Sequence, residues 1–245
     1  MDLANNSILI TGATSGLGRA FAEQFYNSGS TVIACGRRED RLQELEQQLP
    51  GIVTRRADVA VAQEREDLIA WAIREHPSFN MLMNNAGMQL VTDVTKPVVL
   101  DLVESEITTN LTAPVHLASL AAQHLMTRPA AAIINISSGL AFAPLAFMPI
   151  YCATKAAIHS LTMSMRHQFR DTAVRVFEII PPSVDTELGH QRRSDPSQSH
   201  GGMPIEEFIG PAMEAIASDI YEAPIGPAKG LRENGEKMFE RMNSH

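Results

Sequence analysis

The chain has 245 residues, 44% hydrophobic and 20% charged, enough for one large domain around a well-buried core. Its formal net charge of −8 argues against nucleic acid as the main partner, and no apolar run reaches the ~18 residues a membrane span needs. Cys35 and Cys152 have no further Cys or His at ligand spacing, which argues against zinc. The N-terminus MDLANNSILITG lacks a basic, apolar leader, so a cytoplasmic protein is expected.

Ser7 to Thr11 (SILIT) reads as a short apolar strand that runs into TGATSGLG and then a helical stretch from Arg19 to Tyr26. The spacing of Gly12, Gly16 and Gly18 is Gly-x-x-x-Gly-x-Gly. Between a strand and a helix, such a loop predicts a phosphate cradle. Glycines let a pyrophosphate approach the main chain, and the helix N-terminus supplies free N–H groups. Thr14, Ser15 and Leu17 belong to the same loop. A plain strand-to-helix turn is the alternative.

Thr31 to Cys35 is a second strand, followed by Gly36, Arg37 and Arg38. Folds that prefer NAD carry an acidic residue here for the ribose 2′-hydroxyl. This chain has two guanidiniums that could pair with a 2′-phosphate instead, Arg37 ahead of Arg38, so NADP(H) is expected over NAD(H). A solvated arginine pair opening the charged helix EDRLQELEQQL is the alternative. Gly51 to Ala57 leads to Asp58 and Val59. Asp58 is read as a cap for the helix from Gln63 to Arg74, as an acceptor for an adenine amino group, or as both. Trp71 is assigned to packing.

Met81 to Met83 is a fourth strand ending in Asn84-Asn85-Ala86-Gly87, small residues that permit close approach of a ribose. A long helical stretch, Leu102 to Leu125, carries Asn110. A mid-helix Asn marks a local irregularity, a water site or a surface position. Ala130 to Ile136 is a fifth strand ending in Ser137-Ser138. The helix from Tyr151 to Phe169 puts Tyr151 and Lys155 on one face. A free tyrosine titrates near ~10. An ammonium held close favours the phenolate. With Ser138 donating to the same oxygen, the three form a proton-transfer device for a hydroxyl or carbonyl. Alone, Tyr-x-x-x-Lys is a weak motif.

Val174 to Ile180 is a sixth strand, ending in Pro181-Pro182-Ser183-Val184-Asp185-Thr186. The polar stretch at about 187–204 reads as a mobile loop beside the site, where Arg192 and Arg193 could meet an acidic substrate or simply be solvated. Ile205 to Tyr221 is a helix, and the tail holds a short edge segment and a final amphipathic helix. Strands and helices alternate throughout. The pattern predicts an α/β, single-domain Rossmann-type fold over 1–245, a doubly wound parallel sheet with helices on both faces. Ligands bind such sheets outside the carboxyl ends of the strands.

Taken in order, Thr11-Gly12-x-x-x-Gly16-x-Gly18, Asp58, Asn84-Asn85-Ala86-Gly87, Asn110, Ser138, Tyr151-x-x-x-Lys155 and Pro181-x-x-Val184-x-Thr186 closely resemble the short-chain dehydrogenase/reductase family. The likeness covers about residues 5–190 and its branch of about 250 residues. The tail GPAKGLR is similar to DltE-like bacterial oxidoreductases. The resemblance implies an NAD(P)-dependent oxidoreductase acting on a small alcohol or carbonyl substrate. It makes Tyr151 the general acid/base and gives Lys155 the nicotinamide ribose and the lowering of the tyrosine's pKa. Ser138 would polarise the substrate oxygen, Asn110 would hold a relay water, and Thr186 would contact the carboxamide. Asn85, Ala86, Gly87, Pro181 and Val184 would line the cofactor. Pro182 stands where the family carries glycine, so the backbone beside the nicotinamide is expected to differ. Leu140 to Ile150 could line a substrate pocket, or be core or dimer contact. A homodimer through the Asn110 and Tyr151 helices is expected, with a tetramer as the alternative. A non-catalytic dinucleotide sensor of the same fold is the competing function.

Overall fold

The computed structural model describes residues 1–188, 199 and 201–244. Seven strands form one sheet: β1 Ser7–Thr11, β2 Thr31–Gly36, β3 Val53–Arg56, β4 Met81–Asn84, β5 Ala131–Ile136, β6 Val174–Ile180 and β7 Glu222–Pro224. Every pairing is parallel, in the order β3-β2-β1-β4-β5-β6-β7. The short edge segment expected in the tail is β7. The strand order reverses between β1 and β4, where such sheets open a crevice at their carboxyl ends.

The helices are α1 Gly16–Asn27, α2 Glu39–Gln48, α3 Ala62–Glu75, α4 Leu100–Ile107, α5 Ala113–Met126, α6 Pro149–Gln168, α7 Ile205–Ala217, α8 Ala228–Asn234 and α9 Phe239–Asn243. They cover both faces, because the strands are apolar on both sides. Ile8 and Ile10 of β1 face a core with Phe21 and Phe25 of α1, Leu42 and Leu45 of α2, and Phe208 of α7. Leu9, between them, faces the opposite core with Leu68 of α3, Leu117 and Leu125 of α5, and Met165 of α6. Each such side chain contributes about 1.5–3 kcal/mol when fully buried. Trp71 packs against this second core, and the Arg55 guanidinium lies 5.0 Å over its ring. No helix among the described residues is long and apolar enough to cross a membrane.

Three helices depart from expectation. The one final helix expected in the tail is two short ones, α8 and α9, separated by a 3₁₀ turn over Gly235–Met238. The stretch predicted as one helix from Leu102 to Leu125 is broken by a π-helical turn over Thr108–Thr112, centred on Asn110. The helix expected to reach Tyr221 ends at Ala217. There Asp219 adopts a left-handed conformation, φ 56°, and its carboxylate is held by the N-terminal ammonium of Met1 at 3.0 Å and by Arg175 at 2.7 Å. These remote charges outweigh local helix propensity. Most of the expected 187–204 loop, with Arg192 and Arg193, lies outside the described residues. Where described, it pairs with the segment that follows β6: Met203 N–H donates to Ser183 O at 2.8 Å, and Asp185 N–H to Met203 O at 2.9 Å.

Candidate active site

The turn from β1 into α1 is locked to the end of β4. Thr11 Oγ1 accepts the N–H groups of Asn85 and Ala86, each at 3.1 Å. Asn85 Nδ2 donates back to Thr11 O at 2.9 Å. The backbones meet so closely that a Cβ on Gly12, whose φ is 69°, would stand 2.8 Å from Ala86 Cα. A Cβ on Gly18 would collide with the Gly12 carbonyl oxygen. Glycine is required at both places by close main-chain approach. The α1 N-cap, Ser15, makes no side-chain capping bond, so the first-turn N–H groups of α1 keep their capacity for an anion.

The arginine pair follows β2. Arg38 lies over the glycine loop: Nη2 donates to Ser15 Oγ at 2.7 Å and Thr14 Oγ1 at 3.1 Å, and Nη1 pairs with Glu187 at 2.8 Å. The Arg38 hydrogen bond holds the Glu187 carboxyl below the usual carboxylate range. Arg37 is more open, its side chain 72% exposed, and Nη1 stands 3.8 Å from Asp58 Oδ2. Asp58 caps a turn and not the helix. Its Oδ1 accepts the Ala60 N–H at 2.9 Å, while α3 begins after Val61 with no side-chain cap. The reason is the tight Asp58–Val61 turn, which puts three residues between that carboxylate and the first turn of α3.

α6 carries Tyr151 and Lys155 on its inner face, both buried. Lys155 Nζ donates to Ile136 O, at the end of β5, at 2.8 Å, and lies 5.6 Å from the centre of the Tyr151 ring. Burial pushes the Lys155 ammonium down to about 8, while the charge of Glu178 acts to raise it. Ser138 Oγ accepts the Leu140 N–H at 3.1 Å, which leaves its own proton to donate. Asn110 stands behind these groups. Its Nδ2 donates to Met88 O at 2.9 Å and Thr154 Oγ1 at 3.1 Å, and its Oδ1 accepts Met88 N–H at 2.8 Å. The π turn thus puts an amide against the irregular segment that follows Gly87. Burial raises the thiols of Cys152 and of Cys35, the latter to about 12, which leaves both poor nucleophiles.

All these strand ends open on one cleft of about 550 Å³. It is lined by Gly12, Thr14, Ser15, Gly16, Leu17, Gly18, Arg37, Arg38, Asp58, Val59, Asn85, Ala86, Gly87, Ser138, Tyr151, Lys155, Pro181, Val184 and Thr186. Of the residues given a catalytic or cofactor role from sequence, Asn110 is absent from the wall, as are Asn84 and the Leu140 to Ile150 stretch that could have lined a substrate pocket. Met88, Gln89, Leu90, Pro182 and Glu187 also line it. Sequence reasoning assigned no binding role to Met88–Leu90 or Glu187, although the first three directly follow Gly87. The Leu90 N–H donates to the buried Glu106 carboxylate at 3.0 Å, a second tie between α4 and this wall.

Residues 6–197 match the profile of the short chain dehydrogenase family. The chain is 43% identical to the uncharacterized oxidoreductase DltE of Bacillus subtilis (strain 168), over 100% of this chain and 99% of that protein. It superposes on a short-chain dehydrogenase/reductase of Burkholderia phymatum in complex with NAD with a TM-score of 0.85 at 23% identity, covering 96% of this chain and 95% of that one, a likeness of fold. A short-chain dehydrogenase of Sphingobium yanoikuyae in complex with NADPH matches with a TM-score of 0.79 at 27% identity, covering 94% of each chain.

Proposed function

The chain belongs to the short chain dehydrogenase family, and from that premise we propose that it is an NADP(H)-dependent oxidoreductase of an alcohol/carbonyl pair with Tyr151 as general acid and base. The observation that carries this reading is the Lys155 ammonium beside the Tyr151 ring, in the same cleft as the glycine loop and the arginine pair. The cleft suits a dinucleotide: Gly12 and Gly18 leave main chain where any Cβ would intrude. Gly12 to Gly18 would hold the pyrophosphate, Arg37 and Arg38 the 2′-phosphate, and Asp58 and Val59 the adenine. Asn85 to Gly87, Lys155, Pro181, Val184 and Thr186 would hold the nicotinamide half. When bound, the nicotinamide supplies or takes up the hydride.

The chain's own part is proton transfer and orientation. In reduction, Tyr151 gives its proton to the carbonyl oxygen as charge develops there; in oxidation it takes that proton back. The Lys155 ammonium, held beside the ring, favours the charged form of the phenol. The Ser138 hydroxyl donates to the same substrate oxygen. Asn110 fixes the Met88 main chain and would hold a relay water near Lys155.

Oxidation of NADPH across a panel of ketones, aldehydes and quinones tests the reading, with Tyr151→Phe as control. Turnover that depends on Tyr151 supports it. Silence across the panel with normal NADPH binding would favour a dinucleotide sensor. A homodimer through α4–α5 and α6 belongs to the same proposal, supported by exposed Leu102, Ile107, Val115 and Met163. Light scattering on the purified chain tests it.

A further inference from the structure

The inner face of α6 continues beyond the tyrosine and lysine. Tyr151, Lys155, His159 and Thr162 form a polar stripe at helical spacing, laid over the ends of β5 and β6. Thr162 Oγ1 accepts from Asn135 of β5 at 2.9 Å. His159 Nδ1 stands 2.8 Å from Glu178 Oε2 of β6. Asn135 and Glu178 are register partners, so their side chains lie side by side under α6. Lys155 is one turn from His159, and its ammonium binds the carbonyl of Ile136, the residue after Asn135.

Glu178 is fully buried, and its Oε1 makes no hydrogen bond. A buried carboxylate of this kind is costly unless a charge answers it. The titratable and charged groups around it are His159 and Arg166 of α6, the latter 3.9 Å from Oε2, Lys155 one turn before His159, and Glu222 of β7, itself bound by Arg232 of α8 at 2.7 Å. Ligand atoms of His159, Glu178 and Glu222 lie within 4.8 Å of one another. Arg166 and Arg232 stand beside the two carboxylates, an arrangement that disfavours a metal ion there.

We infer that Glu178, anchored by His159, is a positioning residue for the reaction proposed above, its carboxylate keeping the Lys155 ammonium charged beside Tyr151. The inference rests on that reading for its catalytic consequence. The shift of Lys155 agrees in direction, since Glu178 opposes the effect of burial there.

The test reads Lys155 directly. The chain has four lysines, Lys96, Lys155, Lys229 and Lys237, so the Lys155 side chain is resolvable by ¹³C-lysine NMR and assigned by its loss in Lys155→Met. In Glu178→Gln, the Lys155 midpoint is expected to fall by about one unit or more. Turnover at pH 6 should stay within about twofold of wild type and at pH 8 fall about fivefold, a pH dependence that a merely structural defect would not produce. If Glu178→Gln does not fold, the double variant Glu178→Met, His159→Leu removes both partners without orphaning either, and the same shift is expected. An unmoved Lys155 midpoint in either folded variant overturns the inference. A moved midpoint in a protein whose wild type shows no Tyr151-dependent turnover would sustain the electrostatic role and overturn the catalytic reading instead.

Discussion

Lys155 and Ile136 are joined by a hydrogen bond of 2.8 Å that crosses from α6 to the end of β5, so the sheet aims the ammonium at the Tyr151 ring. In the proposed reaction the phenol hydroxyl is the part of this arrangement that moves a proton. Tyr151→Phe keeps the ring and its packing against Met148 and Cys152. It is expected to lower kcat by about 10²–10⁴-fold while NADPH affinity changes little. Steady-state kinetics beside a fluorescence titration of NADPH would check both halves.

Charged Lys155 is held at a cost. Its value falls from 10.5 to about 8, so between those values the folded chain binds fewer protons than the unfolded one. Stability should therefore rise with pH across that window and stay reduced below it. Lys155→Met is expected to raise stability at pH 7 by about 1–3 kcal/mol while abolishing turnover. The advantage over wild type should close by about pH 10. Denaturant melts at pH 7 and pH 10 would measure it.

The two arginines after β2 allow the proposed coenzyme choice to be tested apart from catalysis. Arg38→Ala removes the guanidinium shared by Thr14, Ser15 and Glu187. The KM for NADPH should rise about tenfold or more, the worth of one charge-assisted hydrogen bond, with NADH little affected. Arg37→Asp should reverse the preference, because a carboxylate would face the 2′-phosphate. Tighter binding of NADH than NADPH by the wild type would remove the basis of both expectations.

Glycines offer a paired steric test. In Gly18→Ala, the new methyl would overlap the Gly12 carbonyl oxygen and Asn85 Nδ2, so a loss of about 1–3 kcal/mol and weaker dinucleotide binding are expected. At Gly230, within α8, a Cβ would meet nothing within 4 Å. Gly230→Ala should instead stabilise by about 0.5–1 kcal/mol, since alanine loses less backbone freedom in a helix. Thermal melts of the two variants would show opposite signs.

Residue order alone settles which groups exist and how the local chain spaces them. Tyr151 and Lys155 share a face because a helix repeats every 3.6 residues, and the glycine loop, Asn84–Gly87 and Ser138 fall at strand ends that alternation already located. Asn110 left open an irregularity in its helix, a water site or a surface position, and the fold made it the centre of a π turn of five residues. Tertiary structure decided what required distant partners. Asp219 ended α7 through Met1 and Arg175, 218 and 44 residues away. Arg38 was drawn over the glycine loop by Glu187, 149 residues on. Glu178 lies in the run VRVFEII, where a glutamate reads as one polar interruption of an apolar strand. Only folding brings α6 over it and sets its charge near Lys155, because the strength of such fields depends on burial and distance, which residue spacing does not encode.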